Sequence, residues 1–341
     1  MHEDCAAQAQ INVSEAPQTP IRLPPELILE ILEDVLAEPH NITDLALVSK
    51  AIASLLYRLL YSTVLLPSPE RIRSFAEDVI STAPGLICQH VKRVIFTWEG
   101  QPSKETLDFA RDILLACTEA HTLALPGCLV PSLLADDNPQ CLPTTLTHLT
   151  LGSFSMSNIP PNHARPSFSN LTHLRIADPF GLFTTPRAMF KHLGSLPNLT
   201  HLYVPHVIMR WPDTDDDFVD DVVALLHERD KLHCLIVGLC LPRIQQPSEE
   251  YDRDRDYELE ERVRQASTAW TRVKQLQEAE ERLLIIRADV TGAWLREWKN
   301  AGSIKKPFDF WRETISEGLS ERKREGSCQS QSGEKGRDLW P

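Results

Sequence analysis

The 341-residue sequence lacks long apolar runs, and no segment approaches the ~20 consecutive apolar residues that a membrane-spanning helix requires. Its first residues, MHEDCAAQ, are acidic and polar, whereas a secretory signal peptide needs positive charge followed by an apolar stretch. The sequence therefore predicts a protein of the cytoplasm, the nucleus or both, without a membrane partner.

Signatures of catalysis and of metal binding are also missing. The eight cysteines form no CxxC pair and fit no closed zinc pattern, so we expect free thiols in a reducing compartment. The GxSxG motif, the local signatures of cysteine nucleophiles and the glycine-rich phosphate loops are absent, and only 13 glycines occur. We therefore expect no catalytic residue, no metal and no cofactor, which indicates a binding protein and not an enzyme.

Basic residues are in deficit. Lys and Arg number 35 against 48 Asp and Glu, which gives a formal net charge of -13. Such a chain repels a phosphate backbone, so nucleic acid is disfavoured as a partner and a basic protein target is weakly favoured. A composition of 42% hydrophobic and 24% charged residues is ordinary for folded soluble material.

The N-terminal region begins with a polar, aperiodic stretch, residues 1–20, that is predicted to be a disordered arm. In the LPPELILEILEDVL that follows, two prolines preset the first helical turn, and Leu27, Ile31 and Val35 recur every four residues along one face. Additional apolar residues extend beyond this stripe, and a small helical unit cannot bury them all. We expect part of this surface to meet a partner.

Two more helices are predicted through DLALV and through an apolar series that ends near Tyr61. The order and spacing of LPPELILEIL and DLALVSK resemble the F-box, over residues 21–66, although the tryptophan that many F-boxes carry in the third helix is missing. The resemblance implies docking on a Skp-family adaptor and, through it, on a cullin. The motif positions are Leu23, Pro24, Pro25, Glu26, Leu27, Ile31, Leu32, Leu45, Val48 and Ser49. A helical subdomain packed on its own protein is the alternative.

From residue 91 onward, the pattern apolar-x-x-apolar-x-apolar recurs at VKRVIF (91), AHTLAL (120), LTHLTL (146), LTHLRI (171), LTHLYV (199) and LHCLIV (232). A period in the twenties with one strand-like unit is the signature of leucine-rich repeats. The asparagine that usually follows is absent, so the repeats are degenerate. Helical segments capped by Ser68, Ser103 and Thr185 alternate with these units, and residues 67–245 are therefore predicted to form a parallel sheet with right-handed crossovers, rolled into an arc.

Residues 246–319 are predicted to hold a charged helix from about Tyr257 to Glu278, a possible last strand at 283–287 and two amphipathic segments. These last segments are expected to cap the open end of the solenoid, because a terminal repeat otherwise exposes its core. They carry the aromatic residues Trp294, Trp298, Phe308, Phe310 and Trp311. The polar residues 320–341 are predicted to be a disordered tail.

The whole layout resembles the large F-box families that fungi carry with degenerate leucine-rich repeats: an F-box, then HVKRVIF, repeated LTHL units and a C-terminal FDFW segment. The resemblance implies an α/β fold with an all-α N-terminal module. In that architecture a three-helix F-box precedes a leucine-rich-repeat-like solenoid and a helical C-terminal cap, the F-box holds the ligase, and the repeats hold the substrate.

On a repeat strand the leucines point to the core, so the residues between them face the inner surface of the arc. Adjacent parallel strands lie ~4.8 Å apart, and the repeat alignment therefore places three histidines in one ladder. Aligned imidazoles suit a metal, a pH sensor or an acidic ligand, but a flat ladder fans its ligands out, and simple copying of Thr-His with the repeat explains it too. We favour contact with a protein partner. The candidate substrate-binding residues are His148, Thr150, His173, Arg175, His201 and Tyr203.

These features predict a non-catalytic substrate-recognition subunit of an SCF-type E3 ubiquitin ligase, in which the repeat arc binds an unknown protein target. Its mechanism is proximity, because tethering raises the local concentration of target lysine near the ubiquitin thioester. The alternative is a leucine-rich-repeat scaffold or binding protein whose F-box does not assemble a ligase. A hydrolase or metal enzyme built on the histidine ladder is a third class, and it requires bound metal.

Overall fold

A computed structural model describes residues 23–36, 42–78, 87–134, 142–152, 168–178, 185–193, 196–208, 212–240, 267–288, 293–300 and 309–334. The predicted N-terminal arm and residues 241–266, which include the first half of the predicted charged helix, lie outside these ranges. No helix within the described ranges is long and apolar enough to cross a membrane.

Three N-terminal helices form a small unit with its own core. They are α1 (Pro25–Leu36), α2 (Ile42–Val48) and α3 (Lys50–Leu60). Leu32 and Leu56 are buried at the centre, and half-buried apolar side chains of all three helices pack around them. Ser49 is the N-cap of α3, since its hydroxyl accepts a hydrogen bond from the Ile52 backbone amide at 3.2 Å. This core is separate from that of the sheet.

Eight parallel strands pair in chain order to form one sheet. They are β1 (Thr63–Leu66), β2 (Arg93–Phe96), β3 (Thr122–Leu125), β4 (His148–Leu151), β5 (His173–Ile176), β6 (His201–Val207), β7 (Cys234–Cys240) and β8 (Leu283–Ala288). One of the strands β2–β7 begins two residues into each of the six repeat units, and β6 and β7 continue beyond their units to Val207 and Cys240. LLIIR forms most of β8. The predicted α/β arrangement, parallel strands that alternate with helices, is therefore confirmed.

The first strand lies in a segment that the sequence assigns to the helical module. Val64 and Leu66 of β1 pair in register with Val94 and Phe96 of β2 and are buried in the core of the sheet. TVLL is too short for its alternation to stand out. Tyr61, Val64 and Leu66 have the apolar-x-x-apolar-x-apolar spacing of the later units, but this spacing directly continues the apolar series of α3. Pairing with β2 therefore decides its structure.

Six helices within the described ranges pack on one face of the sheet. They are α4 (Pro69–Ala76), α5 (Lys104–Ala116), α6 (Val130–Leu134), α7 (Pro186–Leu193), α8 (Pro212–Glu228) and α9 (Thr268–Ala279). Right-handed crossovers between neighbouring parallel strands place the connections on one side of the sheet. Strand leucines such as Leu149 and Leu174 form one continuous core with helix residues such as Ile113 and Met189. Serine hydroxyls cap α4, α5 and α9, from Ser68, Ser103 and Ser267.

The opposite face of the sheet carries a further helix, α10 (Ala293–Asn300). Trp294 and Trp298 of this helix are buried in a second cluster with Ile95 of β2 and Ala124 of β3. Gly152 leaves room for the first indole, because a Cβ built on this glycine would lie 2.5 Å from Trp294 Cζ2. Helix α10 therefore covers β2 and β3 on the face of the sheet opposite to helices α4–α9.

The last helix, α11 (Phe310–Glu334), covers the same face further along the sheet. Phe310 and Trp311 pack against Tyr203 of β6, Ile236 of β7 and Ile286 of β8. We call α10 together with the start of α11, residues 293–300 and 309–315, the C-terminal cover.

The sequence predicts that these C-terminal segments cap the open end of the solenoid, whereas the structure places them on the face of the sheet. The physical reason is that the strand residues between the leucines are themselves apolar at both ends of the sheet, so this face needs burial as well. Examples are Ile95, Ala124, Ile236, Leu284 and Ile286. Helix α11 also continues to Glu334, beyond residue 320, where the sequence predicts a disordered tail.

Polar side chains three residues before the strands join successive repeats. The Asn170 amide donates to the Thr144 carbonyl at 2.8 Å, and the Asn198 amide donates to the Ser169 carbonyl at 2.7 Å. Thr145 and Lys231 stand at the equivalent positions and make equivalent bonds. These bonds fix each turn to the previous one, and the sequence pattern alone did not indicate them.

We expect Asn170→Asp to lower the free energy of unfolding by about 1 kcal/mol, because the amide donor is replaced by a carboxylate that faces the Thr144 carbonyl. Urea unfolding followed by circular dichroism measures the change. Asn170→Ala removes the donor without adding a charge and is expected to cost less. Equal stability of both variants and the wild type would contradict this role.

Candidate functional site

The N-terminal helices expose large apolar side chains. Leu27 and Ile31 on α1 are 46% and 50% exposed, and Leu47 and Val48 at the end of α2 are 79% and 65% exposed. Leu23, just before α1, is 46% exposed. Apolar side chains grouped on one small module are typical of a surface that binds another protein.

The structure divides the predicted adaptor-binding residues into two groups. Leu32 lies in the core of the module, Leu45 packs half-buried against that core, and Ser49 caps α3. The residues at the surface are Leu23, Pro24, Leu27, Ile31 and Val48. The side chains of Pro25 and Glu26 lie outside the described part of the structure. Leu47 is the most exposed of the large apolar residues and is not a motif position.

The sheet brings the predicted substrate-binding residues together in two rows. His148, His173 and His201 are directly opposite one another on β4, β5 and β6. Thr150, Arg175 and Tyr203 form the neighbouring row, two residues further along the same strands. The pairing follows the repeat alignment because each LTHL unit enters its strand in the same phase.

The three histidines, which we call the histidine ladder, are stacked. The ring centroids of His148 and His173 are 4.1 Å apart with an interplanar angle of 10°, and those of His173 and His201 are 4.2 Å apart with an angle of 8°. This spacing is a consequence of the strand separation in a parallel sheet. The ring nitrogens of stacked imidazoles point in parallel, so they do not converge on a common point.

The threonine that precedes each histidine fixes the tautomer. Thr172 Oγ1 donates to the Thr147 carbonyl at 3.1 Å and lies 2.8 Å from His173 Nδ1. Since the single hydroxyl proton is used by the carbonyl, Nδ1 must carry a hydrogen and donate it to the threonine oxygen. Thr200 makes the same two contacts with its own neighbours. The ladder therefore presents Nε2 as its acceptor atom.

Burial lowers the pKa values of the ladder. Desolvation, together with the neighbouring His121, lowers the pKa of His148 to about 4, although Asp309 acts in the opposite direction. Desolvation and the two flanking imidazoles lower the pKa of His173 to about 3. The pKa of His201 is lowered for the same first reason. The ladder is uncharged at neutral pH, so it does not attract an acidic ligand by charge.

Positive charge on this face comes from arginine. Arg175 is only 3% exposed, and its Cζ lies 3.5 Å from the centroid of the Phe310 ring, which is a cation–π distance. Arg175 Nη1 is 2.7 Å from Glu297 Oε2 of α10. The orientation of the two groups is not that of a hydrogen bond, although the distance between opposite charges establishes an ion pair.

The C-terminal cover also reaches the histidine ladder. The Trp311 ring meets His173 and His201 edge to face, with centroid distances of 5.2 and 5.8 Å. Thr150 and Tyr203 are buried beside Arg175. The face on which the sequence places the substrate-binding residues is therefore occupied by the chain's own C-terminal segment. Another molecule reaches Thr150, Arg175 and Tyr203 only when the cover moves, whereas the three histidines are half-buried.

The cover residues were missed as partners of this face. Their signal in the sequence is the density of aromatic side chains between Trp294 and Trp311, which is unusual for a segment that follows the last strand. The periodicity of the sequence does not indicate which face of the sheet these rings contact, because this depends on residues far apart in the chain. Metal binding finds no support: in the part of the chain that the structure describes, no group of three or more His, Cys, Asp or Glu side chains is placed to hold an ion.

The histidine ladder makes stability depend on pH. Folded imidazoles with lowered pKa values stay neutral where the unfolded ones, with a pKa of 6.5, are protonated. The free energy of unfolding is thus unaffected by these groups above pH 6.5 and falls as the pH drops below 6.5 toward about 3, where the folded imidazoles are protonated as well. We expect the free energy of unfolding to fall by about 1 kcal/mol from this source between pH 7 and pH 5, after allowance for solvent screening of partly exposed rings.

Urea unfolding at both pH values tests this dependence with two variants. His173→Gln is expected to reduce the difference between pH 7 and pH 5, because one buried imidazole is removed. His227→Gln changes an exposed histidine on α8 and is expected to keep the wild-type difference. The same pH dependence in all three proteins would contradict the assignment.

Gly152→Ala is expected to displace Trp294 and to lower the free energy of unfolding by ~1–3 kcal/mol, as overpacking of a filled core does. In a Trp294→Leu background the same change is expected to cost less, because the indole that it meets is gone. A double-mutant cycle from thermal or urea unfolding measures this coupling. Equal costs in both backgrounds would show that the cover does not press on Gly152.

The chain was compared with protein-family models, with curated proteins and with solved structures, and none of these comparisons gives a match. Neither the fold nor the candidate surfaces therefore receive a family assignment from similarity. A function for this chain rests on the geometry of its own residues.

Proposed function

We propose that this chain is the substrate-recognition subunit of an SCF-type E3 ubiquitin ligase. Its N-terminal module docks on a Skp-family adaptor and, through it, on a cullin, while the repeat sheet holds a protein target. The observation that carries the proposal is the exposure of the apolar side chains Leu23, Leu27, Ile31 and Val48, all at positions where the F-box motif places adaptor contacts.

The size of this surface supports a protein partner. Each of these side chains is about half exposed or more, and covering a half-exposed leucine contributes about 1 kcal/mol. The module cannot bury them itself, because its core is already filled by Leu32, Leu56 and the side chains around them. The four contributions sum to about 4 kcal/mol, which is a part of the free energy that a stable complex needs, and further contacts with the partner must supply the rest.

The connection between the module and the sheet also suits the proposal. Helix α3 ends at Leu60 and β1 begins at Thr63, so very little chain separates them. Tyr61 in this connection packs against the core of the sheet. A short, packed connection holds a target on the sheet at a defined position relative to the adaptor, which is what catalysis by proximity requires.

Co-expression of the full chain with a Skp-family adaptor, followed by size-exclusion chromatography, tests the proposal. We expect a 1:1 complex. Leu27→Asp or Ile31→Asp is expected to weaken adaptor binding by ~100-fold or more, because a charge enters the buried centre of the interface. Both positions are exposed in the free chain, so the thermal unfolding temperature should change little.

Leu115→Asp is the matched control. Leu115 is 48% exposed on α5, far from the N-terminal module in sequence, and the same change there is expected to leave adaptor binding intact. A wild-type chain that is folded but elutes apart from the adaptor would refute the proposal and would favour a repeat-built binding protein. A complex that contains the adaptor but recruits no cullin would instead identify a scaffold.

A further inference from the structure

The C-terminal cover lies on the sheet in the way that a bound peptide would. Its contacts are chemically matched to the face: the Glu297 carboxylate meets Arg175, and Phe310 stacks on the same guanidinium. Trp311 meets the histidine ladder edge to face. These contacts lie side by side on β5 and β6.

A second acidic residue of the cover adds negative charge near the first strands. Asp309 is the residue before α11, and its charge opposes the lowering of the Arg93 pKa that burial causes. Of the two arginines on this face, Arg175 forms an ion pair with a carboxylate of the cover, and Arg93 is influenced by the charge of Asp309. The local charge of this face is opposite to the net charge of the chain, which is -13.

The fit of the cover is incomplete. Arg175 Nε and Nη1 and Glu297 Oε2 are buried without hydrogen-bond partners among the described residues, and the same holds for Trp294 Nε1. The N–H groups of a buried guanidinium usually donate two hydrogen bonds to one carboxylate. A buried guanidinium that lacks these bonds therefore destabilises the folded chain. A ligand whose carboxylate reaches Arg175 in the bidentate geometry would form the hydrogen bonds that the cover does not form.

The connectivity of the fold allows the cover to leave. Both of its helices follow β8 in the chain, whereas the helices that connect the strands pack on the other face. No strand pairing depends on α10 or α11, because all eight strands are paired with one another. Departure of the cover therefore breaks no strand pairing and leaves the core on the other face covered, but it exposes apolar side chains such as Ile95 and Ile236, which the ligand must cover instead.

We propose that the face of the sheet that carries Arg175 and the histidine ladder is a binding site for an acidic peptide segment with aromatic side chains, and that the C-terminal cover occupies this site in cis. The ligand places one carboxylate on Arg175 and an aromatic ring against the histidine ladder. The inference rests on the proposed function only in naming this ligand as the target of the ligase. The cover then acts as an internal competitor that a target segment must displace.

The test uses a fluorescently labelled synthetic peptide of residues 293–320, added in trans to the full chain without any adaptor, and measures binding by anisotropy. We expect weak binding to the wild type. Binding to the Phe310→Ala/Trp311→Ala variant should be at least 10-fold tighter, because its own cover competes less well. The control peptide, with Gln at 297 and Asn at 309, keeps its size and loses the two charges, and it should bind at least 10-fold more weakly.

Adding Arg175→Met to the loosened variant should abolish peptide binding, since the paired cation is lost. If the double variant loses its cooperative unfolding transition, the same titration on Glu297→Gln, which removes only one charge of the cover, decides the question. No gain of binding in a folded, loosened chain, or equal binding of the charged and uncharged peptides, would overturn the proposal. Because no adaptor is present, these outcomes are independent of adaptor-complex formation.

Discussion

Parallel pairing of neighbouring strands in chain order is the constraint on which the rest of the structure depends. Right-handed crossovers then place the connecting helices on one face, where the repeated leucines form a continuous core. The other face receives no connecting helix. Since that face is apolar at both ends of the sheet, it must be covered by something else, and the segment that follows the last strand supplies the cover.

The same register gives the middle of this face its chemistry. Identical phase in three LTHL units stacks three imidazoles at the strand spacing, and the threonines before them fix the tautomer through bonds to the neighbouring strand. The ladder is neutral because it is partly buried. The positive charge on this face therefore comes from Arg93 and Arg175, and the ladder contributes flat surfaces and acceptor nitrogens.

The two ends of the chain differ in how far their apolar side chains are buried. The C-terminal helices bury their tryptophans against the sheet, whereas the N-terminal helices keep Leu27, Ile31 and Leu47 exposed. We infer that a partner can contact the exposed apolar side chains of the N-terminal helices directly, whereas a partner reaches the covered face of the sheet only by displacing the C-terminal cover. The proposed ligase receptor uses both surfaces, one for the adaptor and one for the target.

The sequence by itself determined the repeat period, the positions of β2–β7, the phase of the two rows and the three N-terminal helices, because each of these depends on local periodicity and capping. Only the tertiary structure decided that TVLL is a strand, that Leu32 is a core residue and that Trp294 and Trp311 lie on the face of the sheet. These outcomes depend on contacts between residues far apart in the chain. A short apolar segment takes its structure and its buried side from the surface that it meets.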